Sequence, residues 1–279
     1  MTNSFELNGA DGKRIKGDRR DGTDRQILFI NGFLSKRWGN KSKALAQWCR
    51  EKGWGFCCYD VRGFGDSEGR FTDYTLSDWI ADARTVLTML TGGDHLTRPP
   101  QASVYHPPAP PMASPSITRD APPPSVTIVG NSLGGWIAWL IAQEFLIVEE
   151  LILIAPAFNM MGERAKTISQ DRLHDWHTAG WMPWDDDSLH KDWPLSWRWV
   201  EESEAYWTKT FDKLRPVKTA VLHGLQDVVI SVDGTRRFAN ELLRRAPNFP
   251  LDLRLIPGDH RLSSPEHLEL FRRLVMREV

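Results

Sequence analysis

Cysteine is scarce: Cys49, Cys57 and Cys58 are the only three in 279 residues, and their spacing fits neither a disulfide framework nor a metal-binding set. They are expected to be buried thiols of a reducing compartment. An excess of either charge is missing as well, since 35 basic and 36 acidic side chains leave a net charge of −1. That removes the global field which draws a protein to nucleic acid or to an acidic membrane, so a polar substrate must be recognised locally. The apolar runs are only strand-length, and no membrane span is expected. The first 22 residues are polar, carry both charge signs and lack a signal core or an acid-free targeting helix. Cytoplasm is the expected compartment. What is present is ordinary globular composition, 41% hydrophobic and 25% charged, at a length that suits one α/β domain with an insertion.

From Gln26 onward, short apolar strands alternate with amphipathic helices, the pattern of a mostly parallel sheet covered by helices on both faces. Strands are expected over 26–31, 55–60, 125–130, 150–155, 217–222 and 250–256, and helices near 41–52, 76–91, 133–145, 233–245 and 264–277. Phe5 to Leu7 and Arg14 to Lys16 flank an Asn-Gly-Ala-Asp-Gly turn and predict an antiparallel hairpin at the sheet edge. Arg236-Arg237, Arg244-Arg245 and Arg272-Arg273 read as solvated helix faces.

Two segments break the rhythm. The stretch 98–125 holds more than half of the eighteen prolines and almost no apolar periodicity, so an extended loop insertion is expected. Its Pro107-Pro108-Ala109-Pro110-Pro111 run could alternatively serve a partner as a polyproline ligand. The stretch 158–211 holds seven of the thirteen tryptophans between two core strands. It predicts a helical cap on a core made of 1–157 and 212–279. Some of its rings should hold the cap together and others, with Trp181 and Trp184 as candidates beside Leu34, should line an apolar substrate pocket.

The strongest chemical signal is Gly130-Asn131-Ser132-Leu133-Gly134-Gly135, between a predicted strand and an apolar helix. This is a nucleophile elbow in its required context: the turn is so sharp that only small residues fit two before and two after the serine. A serine hydroxyl needs a base to take its proton. His260 follows the last strand, where a loop can reach back over Ser132. The other histidines compete poorly: His95 and His106 border or lie in the loop insertion, and His174, His177 and His190 lie in the cap. His223 is expected in a turn and His267 on the last helix. Asp227, on the loop after the preceding strand, is the acid expected to orient the imidazole; its rival Asp233 reads as a helix N-cap. The order Ser, Asp, His is the one this arrangement requires. An oxyanion hole is expected from the backbone amides of Leu133 and Phe33, with Leu34 the alternative to Phe33. His174, Asp175, His177 and His190 do not make three firm ligands at a sensible spacing, and no metal or other cofactor is expected.

With these residues located, the chain resembles the α/β-hydrolase superfamily over nearly its whole length outside the proline-rich stretch. Asn31-Gly32-Phe33-Leu34-Ser35, Lys43-Ala44-Leu45, Tyr59-Asp60-Val61-Arg62-Gly63-Phe64-Gly65-Asp66-Ser67, Asn131-Ser132-Leu133-Gly134-Gly135-Trp136, Ala155-Pro156-Ala157, Gly180-Trp181-Met182-Pro183 and Gly258-Asp259-His260-Arg261-Leu262-Ser263 are similar to the branch of acyl-protein thioesterases and acyl-glucuronide esterases. The resemblance implies hydrolysis of carboxylic esters and thioesters through an acyl-enzyme, with nucleophile, acid and base at Ser132, Asp227 and His260. The chain departs from that branch at Asn31 and Asn131, where serine is usual, at Ser231, where proline is common, and in a lengthened 36–42. A carbon–carbon bond hydrolase of ring-cleavage products is the alternative enzyme, although Arg261 stands where that group carries tryptophan. A non-catalytic binding module is the alternative outside enzymes.

Overall fold

The computed structural model describes residues 2–92, 125–183 and 193–278. The proline-rich loop and Trp184 therefore lie outside the described residues.

Eight strands form one sheet in the order β1 (Asn3–Asn8), β2 (Arg14–Arg20), β4 (Gly55–Tyr59), β3 (Arg25–Ile30), β5 (Ser125–Asn131), β6 (Val148–Ile154), β9 (Lys218–Gly224) and β10 (Leu251–Ile256). The expected edge hairpin is there: β1 pairs antiparallel with β2, and β2 antiparallel with β4, while every pairing from β4 to β10 is parallel. Strand periodicity divides the core. On β3, Leu28 and Ile30 face one layer together with Trp79, Ile80 and Val86 of α2 (Leu76–Thr91) and Ile137 and Ile141 of α3 (Leu133–Ala142). Ile27 and Phe29 face the opposite layer with Leu45 and Cys49 of α1 (Asn40–Lys52) and Phe271, Leu274 and Val275 of α8 (Pro265–Met276). All three cysteines are buried and unpaired, and burial pushes the Cys49 thiol up to about 12. Among the described residues no helix is long and apolar enough to cross a membrane.

Helix α3 ends three residues earlier than its apolar run predicts. Arg215 gathers the exit: its guanidinium donates to the carbonyl of Ala142, the last helical residue, and to those of Phe145 in the connection and Val148 at the start of β6, at 2.7, 3.0 and 2.5 Å, so the chain can leave the helix without stranding these acceptors. The expected cap of α7 (Val232–Arg245) also moves. Ser231, not Asp233, is the N-cap, its Oγ accepting from the Asp233 amide at 3.2 Å, while Asp233 pairs with Arg236 in the first turn. His223, expected in a turn, is a fully buried residue of β9.

Between β6 and β9 run α4 (Met160–Ala165), α5 (Gln170–Ala179), the short antiparallel pair β7 (Trp181–Pro183) and β8 (Pro194–Ser196), and α6 (Arg198–Lys209). Tryptophans hold this segment down. Trp176 is buried with its Nε1 on the Leu195 carbonyl at 2.9 Å, and Trp199 meets Trp79 of α2 edge-on at 4.9 Å. Glu202 of α6 accepts from Thr75 and the Ser77 amide, both at 2.8 Å.

Candidate active site

Strand order reverses at β3: the chain goes to β4 on one side and then back to β5 on the other. The crevice outside the carboxyl ends of two such strands is where open α/β sheets bind ligands, and here those ends carry Gly32 and Ser132. Ser132 joins β5 to α3 with φ 54° and ψ −123°, a conformation that L-residues rarely hold unless their neighbours enforce it. Its amide donates to the Ile154 carbonyl at 2.8 Å, and its own carbonyl accepts from Gly135 and Ala157 at 2.9 and 3.0 Å. No larger residue would fit the turn, since a Cβ on Gly130 would sit 2.4 Å from the Gly134 oxygen and one on Gly134 2.3 Å from the oxygens of Ile30 and Asn31.

The structure brings the three predicted side chains together. His260 Nε2 lies 3.2 Å from Ser132 Oγ, and His260 Nδ1 lies 2.7 Å from Asp227 Oδ2. Asp227 Oδ1 accepts the amides of Val229 and Ile230 at 2.9 and 2.8 Å. Burial alone would raise the Asp227 carboxyl; hydrogen bonds from His223, His260 and the Ile230 amide, with the charge of His260, outweigh it and hold the group well below the usual carboxylate range. The loops bearing Asp227 and His260 are tied to each other, because Gln226 and Gly258 exchange hydrogen bonds of 2.9 and 2.6 Å.

Three anchors of this site escape the sequence. His223 Nε2 lies 3.1 Å from Asp227 Oδ2. Lys41 of α1 donates from Nζ to the carbonyl of Arg261, next to His260, and burial brings its ammonium down to about 8. Arg37 fastens the loop after β3: its amide donates to Asp60 at 2.6 Å, and its guanidinium reaches Asp60, Asp18 at 2.7 Å and Asp66 at 2.8 Å. Asp60 and Asp66 lie in the stretch Tyr59–Ser67, but nothing in their spacing points to a partner on another loop.

That loop runs close beside the serine. A Cβ on Gly32 would come within 2.9 Å of Ser132 Cβ. Phe33 turns its ring among Phe71, Trp79 and Trp199 at 5.7, 5.7 and 5.2 Å, and Leu34 takes φ 52°. Leu133 opens α3, so its amide, in the first helical turn, has no acceptor within the helix. Trp181, 55% exposed, borders a cleft of about 510 Å³ with Phe71, Tyr74, Pro194 and Trp199; Ser132, Asp227 and His260 do not line it. His174 and His177 lie on α5, and among the described residues no three His, Cys, Asp or Glu side chains gather into a metal-binding group.

A protein from mouse, palmitoyl-protein thioesterase ABHD10, mitochondrial, is 24% identical over 274 residues, covering 96% of this chain and 78% of its own. Among solved structures, a putative hydrolase from Agrobacterium vitis S4 is similar with a TM-score of 0.77 at 21% identity, over 99% of this chain and 98% of that one. Alpha/beta hydrolase domain-containing protein 10 from mouse gives 0.73 at 20% identity, over 99% and 100%. Residues 27–276 match the Alpha/beta hydrolase family, and the chain belongs to it.

Proposed function

We propose that this chain is a serine hydrolase that cleaves carboxylic esters or thioesters with an apolar acyl part. One observation carries the reading: the unbroken hydrogen-bonded series from Ser132 Oγ through His260 to Asp227 Oδ2. Ser132 Oγ attacks the acyl carbon while His260 Nε2 takes its proton; Asp227 keeps the other ring nitrogen protonated and stabilises the imidazolium. The amides of Phe33 and Leu133 would stabilise the oxyanion, since Gly32 packs against the serine and Leu133 lacks a helical acceptor. The imidazolium then protonates the leaving oxygen or sulfur, the leaving group departs, and water activated by His260 releases the acid. Segment 158–211 serves as the cap in this reading, with Leu34, Trp181 and Trp184 as substrate contacts.

An apolar acyl group is favoured by the aromatic cluster that Phe33 forms with Phe71 and Trp199 next to the serine loop and by the similarity to a protein named as a palmitoyl-protein thioesterase. The buried free thiols suit a reducing compartment such as the cytoplasm. Measuring kcat/KM from acetyl to palmitoyl on matched oxygen and sulfur leaving groups tests the substrate class. Each buried methylene is worth about 0.8 kcal/mol, so kcat/KM should rise roughly fourfold per carbon until the site is full. A flat or falling series would reject an apolar acyl site, and faster cleavage of a ring-cleavage dienoate would favour carbon–carbon bond hydrolysis.

A further inference from the structure

His223 takes no part in the reaction just described, yet it touches the acid. Its Nε2 stands 3.1 Å from Asp227 Oδ2 and 3.1 Å from the Ile230 carbonyl, and its Nδ1 stands 2.8 Å from Thr235 Oγ1 of α7. Both neighbours of Nε2 are acceptors, a carboxylate and a carbonyl. The proton must therefore sit on Nε2, which leaves Nδ1 to accept from the Thr235 hydroxyl. Asp227 then receives four donors: the amides of Val229 and Ile230 on Oδ1, and the rings of His260 and His223 on Oδ2. An ionised carboxylate offers about four lone-pair positions, so all are filled, and this fully buried side chain cannot turn without losing bonds.

We propose that His223 is a positioning residue that completes the donor set of Asp227 through its Nε2–H and so fixes the oxygen that orients His260. This rests on the reading of Ser132, His260 and Asp227 as the catalytic series. Sharing Oδ2 also draws part of the carboxylate's charge away from His260. Losing His223 should free the carboxylate to turn, lowering kcat, and concentrate its charge on the imidazolium, moving the acid limb of the rate profile to higher pH. The other groups around His260 stay in place: Ser132, Asp259 and Arg261 beside it in sequence, Lys41 from α1 on the Arg261 carbonyl, and His267 from α8 on the Pro257 carbonyl at 2.8 Å.

Nitrogen-15 NMR of the full chain labelled at histidine reads the tautomer directly in the wild type. Expected is a His223 ring that carries a proton on Nε2; a proton on Nδ1 alone, with a bare Nε2 facing Asp227, would overturn the proposal. In kinetics, His223→Leu should lower kcat about tenfold with KM changed by less than about twofold, and should raise the acid midpoint by roughly half a unit. His223→Gln, whose amide can donate from near the Nε2 position, should recover most of the rate. A folded His223→Leu with the wild-type kcat and pH profile overturns the proposal. The NMR readout needs no turnover: should Ser132 prove dispensable, the catalytic reading falls while the Nε2–H bond to Asp227 is still seen or refuted on its own.

Discussion

At the scale of single residues, Asp227 concentrates the site's electrostatics. Its carboxyl is held well below its ordinary range by donors that outweigh the effect of burial. A group depressed in the folded state adds stability that is full above its unfolded value, about 4, and is lost as pH falls through the folded value. Urea unfolding of wild type and Asp227→Asn should therefore differ most near neutrality, with a gap that starts to narrow as pH falls below about 4 and closes only below the folded value; a gap that widens on acidification would contradict this. The same substitution should cut ester hydrolysis by about 10⁴, because an amide can hold His260 in the wrong tautomer. Ser132, Asp227 and His260 were legible because each follows a strand that its apolar run reveals, and the fold lines up those strand ends. His223 was not. A histidine before Gly224 looks like a turn, and its task depends on Asp227 folding back over the end of its own strand.

Among the elements, the loop after β3 depends on one side chain. Arg37 spans Asp18 on β2 and Asp60 after β4, and Asp60 is almost wholly buried. Removing one member of such a pair leaves an uncompensated charge, so Arg37→Ala should cost about 3–5 kcal/mol in chemical denaturation. It should also slow hydrolysis in the molecules that still fold, because Gly32 and Phe33 lose their anchor; unchanged stability would show that water replaces the guanidinium. Arg215 provides the contrast. Arg215→Met strands the carbonyls of Ala142, Phe145 and Val148 between α3 and β6 and should destabilise by roughly 1–3 kcal/mol, with little change in kcat/KM at temperatures where the variant is folded. The core strands and helices from Gln26 onward were read to within about three residues, whereas β2 runs four residues past its expected end and the elements inside 158–211 were not placed one by one. The misses at α3 and α7 have local causes: the guanidinium of Arg215 and the hydroxyl of Ser231 end or start helices where apolar periodicity carries no mark.

For the whole molecule, the alternation of short apolar strands with amphipathic helices indicated a mostly parallel sheet covered by helices, and the eight-stranded sheet agrees. The strand order could not be read the same way. Which side of β3 receives β4 and which β5 is set by packing between residues far apart in the chain. Helix α2 ends at Thr91 and β5 begins at Ser125. Replacing 98–124 by a short Gly/Ser linker should leave the melting temperature and turnover nearly unchanged, since closure entropy varies only as the logarithm of loop length; a large loss in thermal scans or assays would show that the stretch packs on the body.

The central claim is that Ser132 forms the acyl-enzyme, and intact-protein mass spectrometry after treatment with a fluorophosphonate tests it most directly. The wild type should gain a single adduct that peptide mapping places on Ser132. Folded Ser132→Ala should gain none and lose ester hydrolysis by about 10⁴ or more. An adduct elsewhere in the wild type, or more than about a tenth of the rate surviving in a clean Ser132→Ala preparation, would contradict the account.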